Sequence, residues 1–303
     1  MMKSAALNPH DAPRKIKRTK GDWTFTIINS AAMILFCVII LFPVLNVIAV
    51  SFSSDAYVYQ GAVSIYPREF RTVAYKTVME SSQLWNSFGN SIFVAVVGTV
   101  CTLVMTSLAA YPMAFGKFYG KKLYVSMIML TMWFNGGMIP TFLVMNKLEL
   151  VGSLWSLIVL GLLSAYNIVV LRSAFHAIPK SLIESAQLDG ANDFVILAKL
   201  VVPLSKATLA TIGLWSLVGH WNAFTNPVIY LKDYSQYTLQ VILRDVVLAA
   251  NGEMYGITED NGHLMPEQIR NATIVVAMVP MLIVYPFLQR YFVKGTMIGS
   301  VKE

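Results

Sequence analysis

The sequence predicts an all-α integral membrane protein with six transmembrane helices. Of its 303 residues, 56% are hydrophobic and only 13% are charged, which is far from the balance of a soluble domain. The charges are unevenly placed and leave uncharged runs that approach or exceed the roughly 20 apolar residues needed to cross a bilayer. The remaining polar residues are too few to cover such runs in a soluble fold. The runs are 23–54, 81–116, 123–146, 150–171, 207–231 and 271–289.

The first run follows a basic stretch, as the apolar core of a secretory signal would. Its apolar part is longer than the roughly 7 to 15 residues of a signal core, and no convincing cleavage site follows it. We therefore expect residues 1–22 to form a basic cytoplasmic tail and residues 23–303 to form a single six-helix domain.

The basic residues predict the orientation in the membrane. With a cytoplasmic tail, the segments on that side are 1–22, 117–122, 172–206 and 290–303, and they carry 16 of the 23 lysines and arginines. This excess follows the positive-inside rule, so both termini are expected in the cytoplasm and residues 231–270 in an external loop. Topology and contact with anionic membrane lipid then explain the net charge of +7, which requires no nucleic-acid partner.

The sequence lacks groups that would let this chain do chemistry by itself. Residues 116–122 are the nearest match to a phosphate-binding loop, but the spacing is wrong and no hydroxyl follows. We expect ATP and Mg²⁺ to be bound by a separate ATPase chain. Cys37 and Cys101 have no partner at metal-ligand spacing, so no metal, cofactor or catalytic residue is assigned. The uncharged runs hold no carboxylate for proton coupling, although sodium coupling through backbone carbonyls stays open.

The segment between the fourth and fifth runs predicts two short capped helices. Ser181 and Glu184 have the spacing of a capping box. Gly190 is expected to end the first helix, and Asn192 to cap a second helix that leads through Pro203 to the fifth run. Taken singly, each residue also has an ordinary interpretation as a cap, a solvated charge or a helix stop.

The same segment resembles the E-A-A motif of ABC importer permeases, in which three residues, a glycine, nine residues and I-x-L-P follow. Glu184, Ala186, Gly190 and Pro203 fall at matching positions, and Ser185 replaces the middle alanine. The triplet 189–191 is similar to the carbohydrate branch of that family, which includes the maltose permease subunit MalG. The resemblance implies a MetI-like permease fold in which loop 173–203 contacts an ATPase. The implied coupling residues are Ser181, Glu184, Ser185, Ala186, Asp189, Gly190 and Pro203.

Other segments extend the resemblance from about residue 90 to the C-terminus. Residues 221–224 look like the W-N-x-F segment of sugar permeases, and residues 291–302 look like their C-terminal tail. Residues 134–140 and 238–244 resemble the LplC and YtcP-like subgroup, whose members are often linked to uptake of oligosaccharides or oligo-uronides. Compared with the loop motif, these segments are weaker indicators of a particular sugar.

Five residues are candidates for a substrate pathway. The ring of Trp221 could stack on a sugar, and the amides of Asn222 and Asn226 could bond its hydroxyls. The alternative interpretation is that these side chains pack between neighbouring helices. Gly137 and Pro140 are expected to break or kink the third run, because proline removes a backbone donor and glycine weakens a helix.

The resemblance implies the permease subunit of a binding-protein-dependent importer in the bacterial plasma (inner) membrane, spanning it several times and working by alternating access. The partners it implies are a second permease subunit, two ATPase subunits, an external solute-binding protein, a carbohydrate and membrane lipid. Two alternatives stay open: an ABC permease for a non-sugar solute, and an ion-coupled secondary carrier. A membrane-bound enzyme ranks last, because no cluster of carboxylate, histidine or cysteine is evident.

Overall fold

The computed structural model describes residues 20–248 and 266–298. Most of the predicted basic tail, the middle of the predicted external loop and the end of the tail motif therefore lie outside the described residues. The regular structure within the two described ranges is helical, as predicted. Its α-helices are α1 (Lys20–Ser51), α2 (Asp55–Tyr59), α3 (Val73–Glu80), α4 (Ser82–Phe115), α5 (Lys121–Leu130), α6 (Met138–Lys147), α7 (Leu154–Gly161), α8 (Ala165–His176), α9 (Lys180–Leu188), α10 (Asp193–Ile196), α11 (Val202–Leu204), α12 (Lys206–Trp221), α13 (Thr225–Tyr230), α14 (Leu239–Leu248) and α15 (Pro266–Ile298).

Three single helices are long and apolar enough to cross a membrane: α1, α4 and the segment Glu267–Pro286 of α15. Two bent pairs, α7 with α8 and the Asp193–Leu204 stretch with α12, pass the same test together. The described residues thus supply three to five candidate crossings rather than six. The third predicted run falls short because α5 and α6 have 10 residues each, about half of a membrane crossing.

The predicted break in the third run is confirmed. Helix α5 ends at Leu130 and α6 begins at Met138. Gly137 stands immediately before α6 with φ +87°, a conformation that a residue with a Cβ rarely adopts. Its backbone N–H donates to Oδ1 of Asn135 at 2.9 Å, and Pro140 lies in the first turn of α6, where a missing donor costs nothing.

Three other breaks were not predicted. Helices α7 and α8 meet at 49°, and the stretch ending at Leu204 meets α12 at 85°. The fifth predicted run, 207–231, is wrong as a continuous span, because α12 ends at Trp221 and α13 begins only at Thr225. All the residues at these breaks are uncharged, so the hydropathy pattern does not reveal the breaks.

Helix α4 lies at the centre of the bundle and packs against α12, α8 and α7. Small residues permit this close packing, as is usual between membrane helices. The imidazole of His220 on α12 fits between Gly98 of α4 and Gly161 of α7. A Cβ added at Gly98 would lie 2.7 Å from Nε2 of His220, and one at Gly161 would overlap the same ring. In this arrangement His220 is a packing residue between α4 and α7.

The described part of the predicted external loop 231–270 is more ordered than a loop. It contains a 3₁₀ turn at Tyr234–Gln236, the helix α14 and the start of α15. Helix α14 buries one face, formed by Leu239, Val241, Ile242 and Val246. Its first backbone N–H, that of Leu239, donates to Oγ of Ser91 on α4 at 2.8 Å. A charged residue is accommodated in this packed helix because Arg244 lies on its exposed side.

We predict that Gln268→Leu destabilises the protein. Gln268 is 2% exposed, and its Nε2 donates to the carbonyl of Ser53 at 2.6 Å, which joins α15 to the segment after α1. Leucine has a similar volume but leaves that buried carbonyl unsatisfied, at a cost of about 1 to 3 kcal/mol. Thermal unfolding of the purified protein in detergent measures the effect. Glu267→Gln removes an exposed ion pair on the same turn and should change the midpoint far less; equal losses would contradict the prediction.

Candidate functional site

The loop predicted to couple to an ATPase forms a helix, a turn and a second helix. Its first helix, α9, begins directly after Pro179, which is the N-cap residue with φ −57°. The predicted capping box is therefore wrong: Ser181 lies inside the first turn and makes no side-chain cap. The physical reason is that the fixed φ of proline already suits a helix start. Glu184 is consequently free of a capping role.

The end of α9 and the start of α10 are confirmed as predicted. Gly190 has φ +80°. The N–H of Gly190 donates to the carbonyl of Gln187 and that of Ala191 to the carbonyl of Ala186, both at 3.0 Å, which is the pattern of a Schellman motif. The side chain of Asn192 then caps α10 by accepting from the N–H of Val195 at 2.9 Å.

Helix α9 has a buried side and an exposed side. Ile183 is buried, and Ala186 packs partly buried against a core cluster built from α4, α8 and α12. At 100° per residue, Leu182, Ser185 and Asp189 share one side of the helix, and all three are exposed. The implied coupling residues Ser185 and Ala186 therefore differ, because Ser185 is exposed while Ala186 borders the core.

Hydrogen bonds attach Asp193 of this loop, and Arg172 and Lys121 beside the loop, to the end of α4. The hydroxyl of Tyr111 donates to Oδ1 of Asp193 at 2.9 Å, and Nε of Arg172 donates to the carbonyl of Met113 at 3.1 Å. Nζ of Lys121 donates to carbonyls at the end of α4, at 3.0 and 3.1 Å. None of these contacts could be found from sequence, since their partners lie far apart in the chain or have no motif.

The second half of the loop turns sharply into the membrane helix α12. A π-helical turn, Leu197–Val201, follows α10, and Pro203 lies within the short α11. The 85° bend comes at Ser205, two residues after Pro203. Since Ser205 still bonds the carbonyls of Val201 and Val202, the loop and α12 remain connected by backbone hydrogen bonds through the bend.

The candidate pathway residues fall into separate places. Trp221 and Asn222 border a cavity of about 340 Å³ together with Gln240 of α14. Trp221 is only 4% exposed and its ring meets that of Phe88 edge-on at 5.9 Å, so the interpretation of a side chain packed between helices applies to Trp221. Asn222, in contrast, is exposed. Asn226 borders a second cavity, of about 240 Å³, beside His220. Gly137 and Pro140 border neither of them.

A cation that the sequence analysis did not single out lies next to the W-N-x-F segment. The guanidinium carbon of Arg244 stands 4.8 Å from the centre of the Phe224 ring, within the range of a cation–π interaction. Arg244 is one helical turn after Gln240, and it is exposed. No ion pair to it occurs among the described residues. Its only sequence signal was its place at the end of segment 238–244.

A third and larger cavity, of about 640 Å³, lies behind the loop. It is bordered by the ends of α4 and α8, the start of α5, and the helices α9 and α10. Glu184 and Gln187 of α9 face into it. Lys121 also borders it and precedes the predicted span 123–146; burial, and then the nearby charges of Arg172 and Lys180, lower the pKa of its ammonium group.

The described residues thus form an all-helical fold of broken membrane-length helices, with a capped two-helix loop leading into one of them. The chain matches the family described as "Binding-protein-dependent transport system inner membrane component" over residues 103–298. It belongs to this family of importer membrane components, as the loop motif indicated.

Relatives and a solved structure agree with this assignment. The chain is 39% identical over 272 residues to the polygalacturonan/rhamnogalacturonan transport system permease protein YtcP of Bacillus subtilis, covering 89% of this chain and 95% of YtcP. It is 37% identical over 290 residues to the protein LplC of the same organism, covering 94% and 97%. A crystal structure of a bacterial ABC transporter for import of the acidic polysaccharide alginate contains a chain with 34% identity and a TM-score of 0.86, with 92% of this chain and 100% of that chain covered.

We predict that Gly190→Val reduces sugar uptake much more than it reduces the amount of protein in the membrane. Valine at φ +80° carries a steric penalty of about 1 to 3 kcal/mol, which should distort the turn between α9 and α10. The membrane helices satisfy their backbone hydrogen bonds without this turn. Uptake in cells and immunoblotting of membranes measure the two effects.

Gly190→Asn is the matched control, because asparagine tolerates a left-handed conformation and a Cβ here meets no atom within 4 Å. It should retain most uptake. Loss of the valine variant from the membrane would instead identify Gly190 as a folding residue.

Proposed function

We propose that this chain is one of two permease subunits of an ABC importer that takes up an acidic oligosaccharide by alternating access. The observation that carries the proposal is the loop 173–203, because it presents an exposed helix face and leads through an 85° bend into α12. A separate pair of ATPase subunits would bind ATP and Mg²⁺. Their closure would displace α9, and α12 would transmit the movement to the pathway.

In the membrane, we propose six crossings with both termini in the cytoplasm. The broken pair α5 and α6 would count as one crossing, in addition to the five found by length and composition. The excess of basic residues in segments 117–122 and 172–206 supports this orientation. The chain would then be a multi-pass protein of the bacterial plasma membrane.

The second permease subunit is expected to cover α1. Residues 20–43 of this helix are all exposed and strongly apolar, so lipid or another membrane helix must surround them. An external solute-binding protein is a further expected partner, since the description of the family names binding-protein-dependent transport. We propose that the solute-binding protein contacts this chain on the side that carries α2, α3 and α14.

An acidic substrate is supported by Arg244. A guanidinium presents a planar pair of donors that matches a carboxylate, and the Phe224 ring holds this one in place. The amides of Asn222 and Gln240 border the adjoining cavity and are suited to sugar hydroxyls. The similar transporter of known structure imports an acidic polysaccharide, which agrees with a carboxylate-binding residue here.

We predict that single cysteines at Leu182, Ser185 or Asp189 form crosslinks to the ATPase subunit in the assembled complex. These positions share the exposed face of α9. Cysteine-specific bifunctional reagents and gel electrophoresis detect the product. Ile183→Cys is the control, because Ile183 is 5% exposed and faces the core. If the three exposed positions all fail to crosslink in a complex shown to contain the ATPase, the docking proposal is wrong.

We predict that Arg244→Gln lowers uptake of an oligogalacturonide at subsaturating concentration by about tenfold or more. A hydrogen bond to a charged group contributes roughly 1.5 to 3 kcal/mol, which corresponds to that factor. Uptake into proteoliposomes containing the complex and its binding protein measures it. Arg270→Gln removes an arginine already paired with Glu267 at 3.2 Å and should retain uptake. Equal uptake by the Arg244 and Arg270 variants would exclude a substrate role for Arg244.

A further inference from the structure

The largest of the three cavities extends along α4 from its membrane-embedded part to its end. Leu108, Tyr111, Pro112 and Phe115 border it, and their spacing places them in one stripe of the helix. Leu108 and Phe115 are about 10 Å apart along the helix axis, at 1.5 Å per residue. The cavity is therefore long, and the part of its wall that lies deepest along α4 is apolar.

The other end of the cavity is basic. Lys117, Lys121 and Lys180 border it, as does His176. Lys121 is held in place by the carbonyls of Ala114 and Gly116, where the C-terminal end of a helix dipole favours a cation. These side chains come from two segments, 117–121 and 176–180, that are far apart in sequence, so the fold itself gathers the positive charge.

The cavity holds more cations than carboxylates to balance them. Three ion pairs occur in the described ranges, and all of them involve residues elsewhere: 69 with 71, 76 with 80 and 267 with 270. Of the two carboxylates that border the cavity, Asp193 already accepts from Tyr111, and Glu184 is in none of these three ion pairs. Repulsion from neighbouring cations contributes to the lowered pKa of Lys121. An anion would relieve this imbalance.

We propose that this cavity binds an anionic phospholipid, with its phosphate among Lys117, Lys121 and Lys180 and an acyl chain along Leu108 and Phe115. Basic pockets between membrane helices at the cytoplasmic surface suit such headgroups. The apolar half of the cavity distinguishes a lipid from free phosphate, which would leave that half uncovered.

Nearby aromatic residues place the basic end at the level of the headgroups. Tyr119 and Tyr124 are both exposed, and tyrosine is enriched at membrane–water interfaces. The inference rests on the proposed orientation, in which this end of α4 faces the cytoplasm and its anionic leaflet.

The lipid would lie behind the coupling helix. Lys180, Ile183, Glu184 and Gln187 of α9 border the cavity, and at 100° per residue they share one face. The face proposed for the ATPase is the opposite one. Lipid and ATPase can therefore bind α9 at the same time, and the lipid would support the helix against the force applied by the ATPase.

Native mass spectrometry of the full-length chain, purified with its associated subunits, tests the proposal. Dioleoyl phosphatidylglycerol is titrated into wild type and into the double variant Lys117→Gln/Lys180→Gln. We expect its affinity to fall roughly 25-fold, since each basic residue near a membrane surface contributes about fivefold. Phosphatidylcholine, which has no net charge, should bind weakly to both proteins. The double variant Lys117→Arg/Lys180→Arg should retain binding.

The matched control is Lys122→Gln/Lys199→Gln, which removes the same charge from exposed residues of the same region that do not border the cavity. It should change the affinity less than twofold. An equal loss in both double variants would mean diffuse attraction rather than a site.

Displacement of the lipid by millimolar inorganic phosphate would reassign the site to a soluble anion. Lipid binding that appears only after the ATPase is removed would mean that the lysines contact the ATPase in the complex and overturn the proposal. Because no sugar is present, failure of the proposed transport function would leave these results unchanged.

Discussion

Backbone N–H and C=O groups that leave a helix inside the hydrocarbon region cost several kcal/mol each unless the protein itself satisfies them. In this chain the membrane-length runs are repeatedly interrupted, so each interruption needs partners. At the end of α7, Oγ1 of Thr102 donates to the carbonyl of Gly161 at 3.1 Å. Before α6, the N–H of Gly137 bonds to the side chain of Asn135. On α4, the hydroxyls of Thr102 and Ser91 thus serve backbone groups of neighbouring segments.

The same requirement shapes the region outside the bundle. The amides of Gln83 and Asn90, near the start of α4, donate to backbone carbonyls of segment 234–237. Helix α14 is thereby held against α4 and α15 instead of extending into solvent. As a result, Arg244 and Gln240 are carried on a packed helix, which gives the proposed carboxylate site a fixed geometry.

Sequence patterns predicted the features that depend on local chemistry. The long uncharged runs indicated α1 and α4 to within a few residues, because continuous hydropathy reports burial in lipid. Gly137 and Pro140 indicated the break in the third run, since each acts on its own backbone. The bends after Gly161 and at Ser205 were missed, because the residues at the bends are uncharged and hydropathy does not distinguish them from residues of a continuous helix.

The loop 173–203 shows the same division between local and long-range features. Gly190 and Asn192 were predicted correctly because turn and cap preferences are local. Ser181 was misplaced because Pro179 is an equally good helix start, and sequence alone does not decide between them. The bond from Tyr111 to Asp193 and the gathering of lysines behind α9 join segments more than 50 residues apart. Such contacts are set by packing, which a single sequence does not reveal.

The slot that holds His220 limits how this subunit can change conformation. With Gly98 on one side of the imidazole and Gly161 on the other, sliding α12 along α4 or α7 would drive the ring into backbone atoms. This slot favours movement of the three helices as one unit. In the proposed transport cycle, the rotations that open and close a pathway would be left to the interrupted segments and to the boundary with the proposed partner chains.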